Sequence, residues 1–148
     1  MSDITAAGLR SDIATAFGEY MAELVQAGPV WETKPAEVKA GEAAWSPRQV
    51  AEHIGQATGF FGTGIAKAIN VQAGPISSPQ FADVAAAAAA TPGGHLELVG
   101  VLVQVQDSQL GAEIKQFGPL GDTTLGNVIG VVAYHYRDHA NQLRTLRG

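Results

Sequence analysis

The segment from Thr123 to Leu146 sets the strongest constraint on what this chain can fold into. Leu125, Val128, Val132, His135, His139, Leu143 and Leu146 recur at helical intervals, so they form one stripe along a single long helix. A stripe that wide has to be buried against other elements. Two of its members are imidazoles. Four residues along a helix advance about 6 Å and return nearly to the same face, so His135 and His139 point where a core leucine would and can share one metal ion. His53 holds the same kind of position in an earlier period with Val50, Ile54, Ala57 and Phe61. A single inward histidine is usually a core residue with a hydrogen-bonded ring. Three of them at ligand spacing on two helices are harder to bury without partners, and a metal removes that cost.

The rest of the chain supplies surfaces for the stripe to pack on. A first helix is expected from Asp3 to Gln26, with Ile13, Ala16, Phe17, Tyr20 and Leu24 inward and Gly28 and Pro29 as its stop. A linker containing Pro35 and Gly41 leads to Trp45, read as a hydrophobic staple or core residue. The second helix is expected to start at a Ser46 cap, with Pro47 in the first helical position and Gln49 completing a capping box. It runs to about Asn70, and Gly74 and Pro75 break the chain after it. Ser78, Pro79 and the alanines of positions 85–90 read as a short connecting helix, ended by Thr91, Pro92, Gly93 and Gly94. A third long helix is expected from Gly94 to Lys115, carrying Leu96, Val99, Leu102, Val103 and Leu110. Its valines make a strand over Val99 to Val105 the local alternative. Phe117 to Asp122 reads as a turn, with Asp122 or Thr123 capping the last helix. His95, just after two glycines, is expected to be exposed. The expected fold class is all-α, a four-helix bundle with an additional short connecting helix, in one domain over residues 1–148.

Composition narrows the partners. With 46% hydrophobic residues, the 148-residue chain has enough apolar material for a core. No apolar run approaches the roughly 20 residues a membrane helix needs. The polar start after Met1 lacks the basic and apolar regions of a secretory signal, so a cytoplasmic location is expected. There is no cysteine, so a metal has to be held by His, Asp or Glu. The net charge is −5 and the nine Lys and Arg are scattered, which argues against nucleic acid as a partner.

Trp45-Ser46-Pro47 followed by His53, and a terminal helix with His135, His139 and then Gln142-Leu143, resembles the DinB-like (YfiT-like) family of four-helix bundles over nearly the whole chain. The resemblance implies a divalent metal, typically zinc or nickel, held by one histidine of the second helix and two of the fourth. Those positions correspond to His53, His135 and His139. It also implies a small-molecule substrate and a homodimer. Some members resemble hydrolases. Others resemble thiol S-transferases or isomerases that use a low-molecular-weight thiol such as mycothiol, bacillithiol or glutathione as cosubstrate. The isomerase branch often carries a further C-terminal domain, which this chain, ending at Gly148, is expected to lack.

Three neutral imidazoles around a divalent ion leave a coordination position open, as in catalytic sites. Water there becomes available as hydroxide near neutral pH, and a thiol there becomes a thiolate. Both chemistries need the same ligands. No catalytic general base is identified: Tyr136 stands where a HExxH helix carries its glutamate. Glu52 and Asp138 adjoin ligand histidines but point about 100° away, so a solvated face or pairing with Arg48 or Arg137 suits them better than the alternative, hydrogen bonding to a ligand ring. Gln56 and Gln142 lie one turn beyond His53 and His139 and read equally as ligand-orienting amides and as packing residues. Tyr134 and Tyr136 read mainly as packing residues, with a place in the pocket wall as the alternative. A metal-dependent enzyme is the favoured function, with a non-catalytic bundle that sequesters a metal or metabolite as the alternative.

Overall fold

Thr5 and Ser46 open the first two helices by the same physics. In the computed structural model, which describes residues 4–38 and 43–148, the Thr5 hydroxyl accepts from the Gly8 N–H at the start of α1 (Ala6–Leu24). Ser46 caps α2 (Pro47–Ala68) in a full capping box: its hydroxyl accepts from the Gln49 N–H while the Gln49 side chain accepts from the Ser46 N–H. Asp83 caps α3 (Val84–Leu102) and Thr124 caps α4 (Leu125–Arg147). The N-terminal limit expected at Asp3 and the linker residue Gly41 lie outside the described residues.

The four helices close a bundle in which α1 packs mainly on α4, and α2 on both α3 and α4. Ile13, Tyr20, Leu24, Ile54, Ile65, Leu98, Leu125, Ile129 and Leu143 are the large side chains at its centre. At the far end Glu23 of α1 accepts hydrogen bonds from Arg144 Nε (3.1 Å) and Arg147 Nη2 (2.6 Å) of α4. Burial pushes the Glu23 carboxyl up, but the two guanidinium hydrogen bonds outweigh it and hold the group below its ordinary value. No helix among the described residues is long and apolar enough to cross a membrane.

Three expectations are corrected here. The alanine run is not a separate connecting helix: it is the first half of α3, which runs unbroken through Pro92. A mid-helix proline removes the N–H that would meet the Ala88 carbonyl, and beside it Thr91 turns its hydroxyl back onto the Ala87 carbonyl at 2.6 Å. Because α3 starts ten residues earlier than expected, its inward face is Ala87, Thr91, His95, Leu98 and Leu102, while Leu96 and Val103 are exposed. The same helix stops at Leu102, well short of Lys115. The chain beyond it forms turns and a two-residue strand, β1 (Glu113–Ile114), paired antiparallel with β2 (Thr123–Thr124). The helix cap therefore moves to Thr124 from Asp122 or Thr123.

Glycines fix how the connections cross α2. A Cβ on Gly55 would lie 2.5 Å from Pro79, and one on Gly64 would lie 2.1 Å from the Phe117 ring. Phe117 thus sits on the backbone of α2 and packs against Phe60 and Phe61. Phe61 in turn meets the His135 ring edge-on at 5.5 Å, so this excursion walls one side of the histidine cluster.

Candidate metal centre

His53 comes from α2, and His135 and His139 from successive turns of α4. Their rings converge. His135 Nε2 lies 3.0 Å from His53 Nε2 and 3.1 Å from His139 Nε2, and the three nitrogens all fall within 4.8 Å of one another. Two imidazole nitrogens bound to one ion at about 2.0–2.1 Å are separated by roughly 2.9–3.4 Å for coordination angles between square and tetrahedral. The two close separations fall in that range, so the donor set fits a divalent metal.

The state of the rings supports the same fit. Burial, then the neighbouring His139 and His53, push His135 down to about 3. Burial, then His139, lowers His53. Burial lowers His139 against the opposing effects of Gln142 and Asp138. All three are therefore neutral near pH 7 and present lone pairs. His139 Nδ1 is 2.7 Å from Gln142 Oε1. An amide oxygen only accepts, so Nδ1 carries the proton and Nε2 faces its neighbours as a bare lone pair. Nitrogens packed this closely have too few N–H groups between them to satisfy every contact well. A cation accepts all the lone pairs at once.

The other sequence-derived residues divide. Gln142 orients His139, as described. Trp45, half-buried, packs its ring 4.8 Å from His53 and 6.3 Å from His139. Gln56 is exposed and is not among the residues lining the cavity beside His139. Glu52 is engaged elsewhere, accepting from Arg48 Nε at 3.1 Å and from the Phe81 N–H at 2.8 Å. Asp138 is exposed and lines a cavity of about 440 Å³ together with Trp45, His139, Gln142 and Leu146. Tyr134 is 68% exposed, and Tyr136 is buried with its hydroxyl against His95 and Thr58.

Tyr136 belongs to a second polar cluster that the sequence reading missed. His95, expected at the surface, is only 8% exposed. Its ring stacks flat on Phe17 at 3.7 Å, and its Nδ1 is 3.0 Å from the Tyr136 hydroxyl. Thr58 Oγ1 lies 3.4 Å from that hydroxyl and gives its own proton to the Ile54 carbonyl at 2.7 Å. The consistent order is His95 Nδ1–H to Tyr136 O–H to Thr58 O–H to Ile54 C=O. Burial pushes His95 down to about 4 and Tyr136 up to about 12. The signal that could have found this cluster is the period Ala87, Thr91, His95, Leu98, legible only once the helix is allowed through Pro92.

The family model described as the DinB superfamily matches residues 16–143, a span that takes in all three histidines. No curated protein and no solved structure matches the chain.

Proposed function

Since the chain belongs to the DinB superfamily, whose members are generally metal-binding, we propose that it is a metal-dependent enzyme acting on a small molecule, with His53, His135 and His139 as the metal ligands. The observation that carries this reading is the convergence of three Nε2 atoms from two helices beside an open cavity. Zinc and nickel both suit an all-imidazole donor set. Bound there, the ion supplies Lewis acidity and lowers the pKa of a water or thiol in its open position. Gln142 holds the His139 tautomer, and Trp45 and Phe61 shield the rings from bulk water.

Within that class a thiol S-transferase-like reaction is favoured over simple hydrolysis. Glu52 is committed to Arg48 and the Phe81 amide, and Asp138 stands at the solvent side. Neither of these two carboxylates is placed as a general base, which a metal-activated thiol does not need. The lack of a base adjoining the ligand histidines supports a second reading, a non-catalytic bundle that sequesters a metal or metabolite. The residues 1–148 are proposed to act as one domain, as a cytoplasmic homodimer.

Metal content of purified wild type and His135→Ala, measured by plasma mass spectrometry, tests the proposal. About one zinc or nickel per wild-type chain, lost in the variant, is expected. Absence of metal from both, after growth in supplemented medium, sinks it. Turnover of thiol and electrophile pairs then separates the enzyme from the sequestering bundle.

A further inference from the structure

The bundle has a strong half and a weak half, and the histidine cluster lies on the seam between them. Three arginines of α4 tie it to α1: Arg137 pairs with Asp12 and Glu19, and Arg144 and Arg147 pair with Glu23, at 2.6–3.1 Å. Among the described residues neither α2 nor α3 makes an ion pair with another of the four helices. Arg48 of α2 stays with Glu52 of its own helix and with Glu32 before it. Side-chain hydrogen bonds join α2 to α4 at two places, His53 to His135 at 3.0 Å and Thr58 to Tyr136 at a long 3.4 Å.

Local sequence divides the helices in the same way. Glycine and proline are the residues least suited to a helix interior. Beyond the first turn α1 and α4 carry one glycine each, Gly18 and Gly130. In contrast, α2 carries Gly55, Gly59, Gly62 and Gly64, and α3 carries Pro92, Gly93, Gly94 and Gly100. The α2 glycines serve packing. The connection from α2 to α3 lies on them, with Pro79 against Gly55 and Ile76 against Gly59, and Leu98 of α3 sits beside Gly62. Thus α2, the connection and α3 form one packed unit, held by apolar contact and weak as helix. His53 belongs to that unit. His135 and His139 stand on α4, with Gln142 holding the His139 ring.

We infer that the α2–α3 unit opens locally from the α1–α4 pair to load and release the ion, with His135 and His139 as the standing ligands and His53 as the one that closes last. The inference rests on the proposed ligand set and adds its mode of loading. Local opening follows the stability of the weak unit and not that of the whole chain. A substitution that stiffens α3 therefore slows release, and a matched one in α1 does not.

Gly93→Ala in α3 and Gly18→Ala in α1 are that matched pair, because a Cβ at either position meets nothing within 4 Å. The zinc-loaded full chain is mixed with excess chelator at several concentrations, and release is followed by the colour of a zinc indicator. The rate is expected to be independent of chelator concentration. Gly93→Ala is expected to slow it about threefold, the change that a compatible Gly→Ala exchange carries, and Gly18→Ala to leave it as in wild type. In the metal-free chain the slowest amides of α2 are expected to exchange hydrogen at least about tenfold faster than the slowest amides of α4. A rate proportional to chelator concentration, equal slowing by both variants, no slowing by Gly93→Ala, or amides of α2 as protected as those of α4 would each overturn the inference. Failure of the wild type to take up zinc would overturn the ligand set and the loading route with it, while the exchange order of the metal-free helices still shows whether the α2–α3 unit is the weak one.

Discussion

Two groups of inward-facing imidazole sit in one bundle, joined through the adjacent residues His135 and Tyr136, and they solve the same problem in opposite ways. His95 is closed. Its ring stacks on Phe17, its proton goes to Tyr136, and the chain of donors ends on a helix carbonyl. His53, His135 and His139 are open. Gln142 satisfies the outer nitrogen of His139, and the inner nitrogens face one another with lone pairs to spare. Burial alone therefore does not mark a functional histidine. What marks it is a surplus of acceptors aimed at one point.

The comparison breaks most visibly at His135. His135→Ala should weaken zinc binding by more than about 100-fold, as expected for loss of a direct ligand, while leaving the metal-free protein as stable as wild type or more so, because the variant removes a crowded nitrogen. Calorimetric zinc titration and thermal unfolding check the two halves. A variant that binds zinc like wild type would place His135 with His95.

The mirror image is His95→Ala. It leaves a cavity under Phe17 and a Tyr136 hydroxyl oxygen without its donor, so it should cost about 2–4 kcal/mol in urea unfolding with no change in zinc affinity. His95 also gives the metal-free protein a pH dependence of known sign. Its folded value lies near 4, below the ordinary 6.5 that it recovers on unfolding. Between these values the unfolded chain binds a proton that the folded one does not. Its contribution to stability is thus complete above about pH 6.5 and declines as the pH falls towards 4. The open cluster acts in the same direction, since its rings are depressed too. Urea midpoints at pH 7.5, 6 and 5 should fall in that order, and less steeply in His95→Gln.

The smallest effect sharpens the boundary between the two regions. Gln142→Leu keeps all three ligands but removes the acceptor for His139 Nδ1. Zinc affinity should drop about tenfold, with stability little changed. Gln56→Leu, at the equivalent spacing from His53, should do nothing to zinc binding.

That last pair shows where sequence reasoning ends. His53, His135 and His139 were legible because each interrupts a run of apolar residues at helical spacing, and a bundle brings such stripes together. Gln56 and Gln142 stand at the same offset from a histidine of the cluster, and spacing alone gives them equal weight. The structure separates them because the surface beyond His139 is roofed by Trp45 and the cavity, whereas the surface beyond His53 meets solvent. The helices α1, α2 and α4 were readable from caps and periods within a few residues. The path of α3 was not, because Thr91-Pro92-Gly93-Gly94 is locally a stop signal and only tertiary packing of Ala87, Thr91, His95 and Leu98 overrides it. Losing that helix also meant losing His95, and with it the closed cluster.

The most direct measurement is calorimetric titration of zinc into chelator-stripped wild type and into four single variants, His53→Ala, His135→Ala, His139→Ala and His95→Gln. One equivalent bound by wild type and by His95→Gln, with binding abolished or reduced at least about 100-fold in the other three, is the predicted result. No binding by wild type, or a loss in His95→Gln as large as in the other three, would contradict the division between an open and a closed cluster.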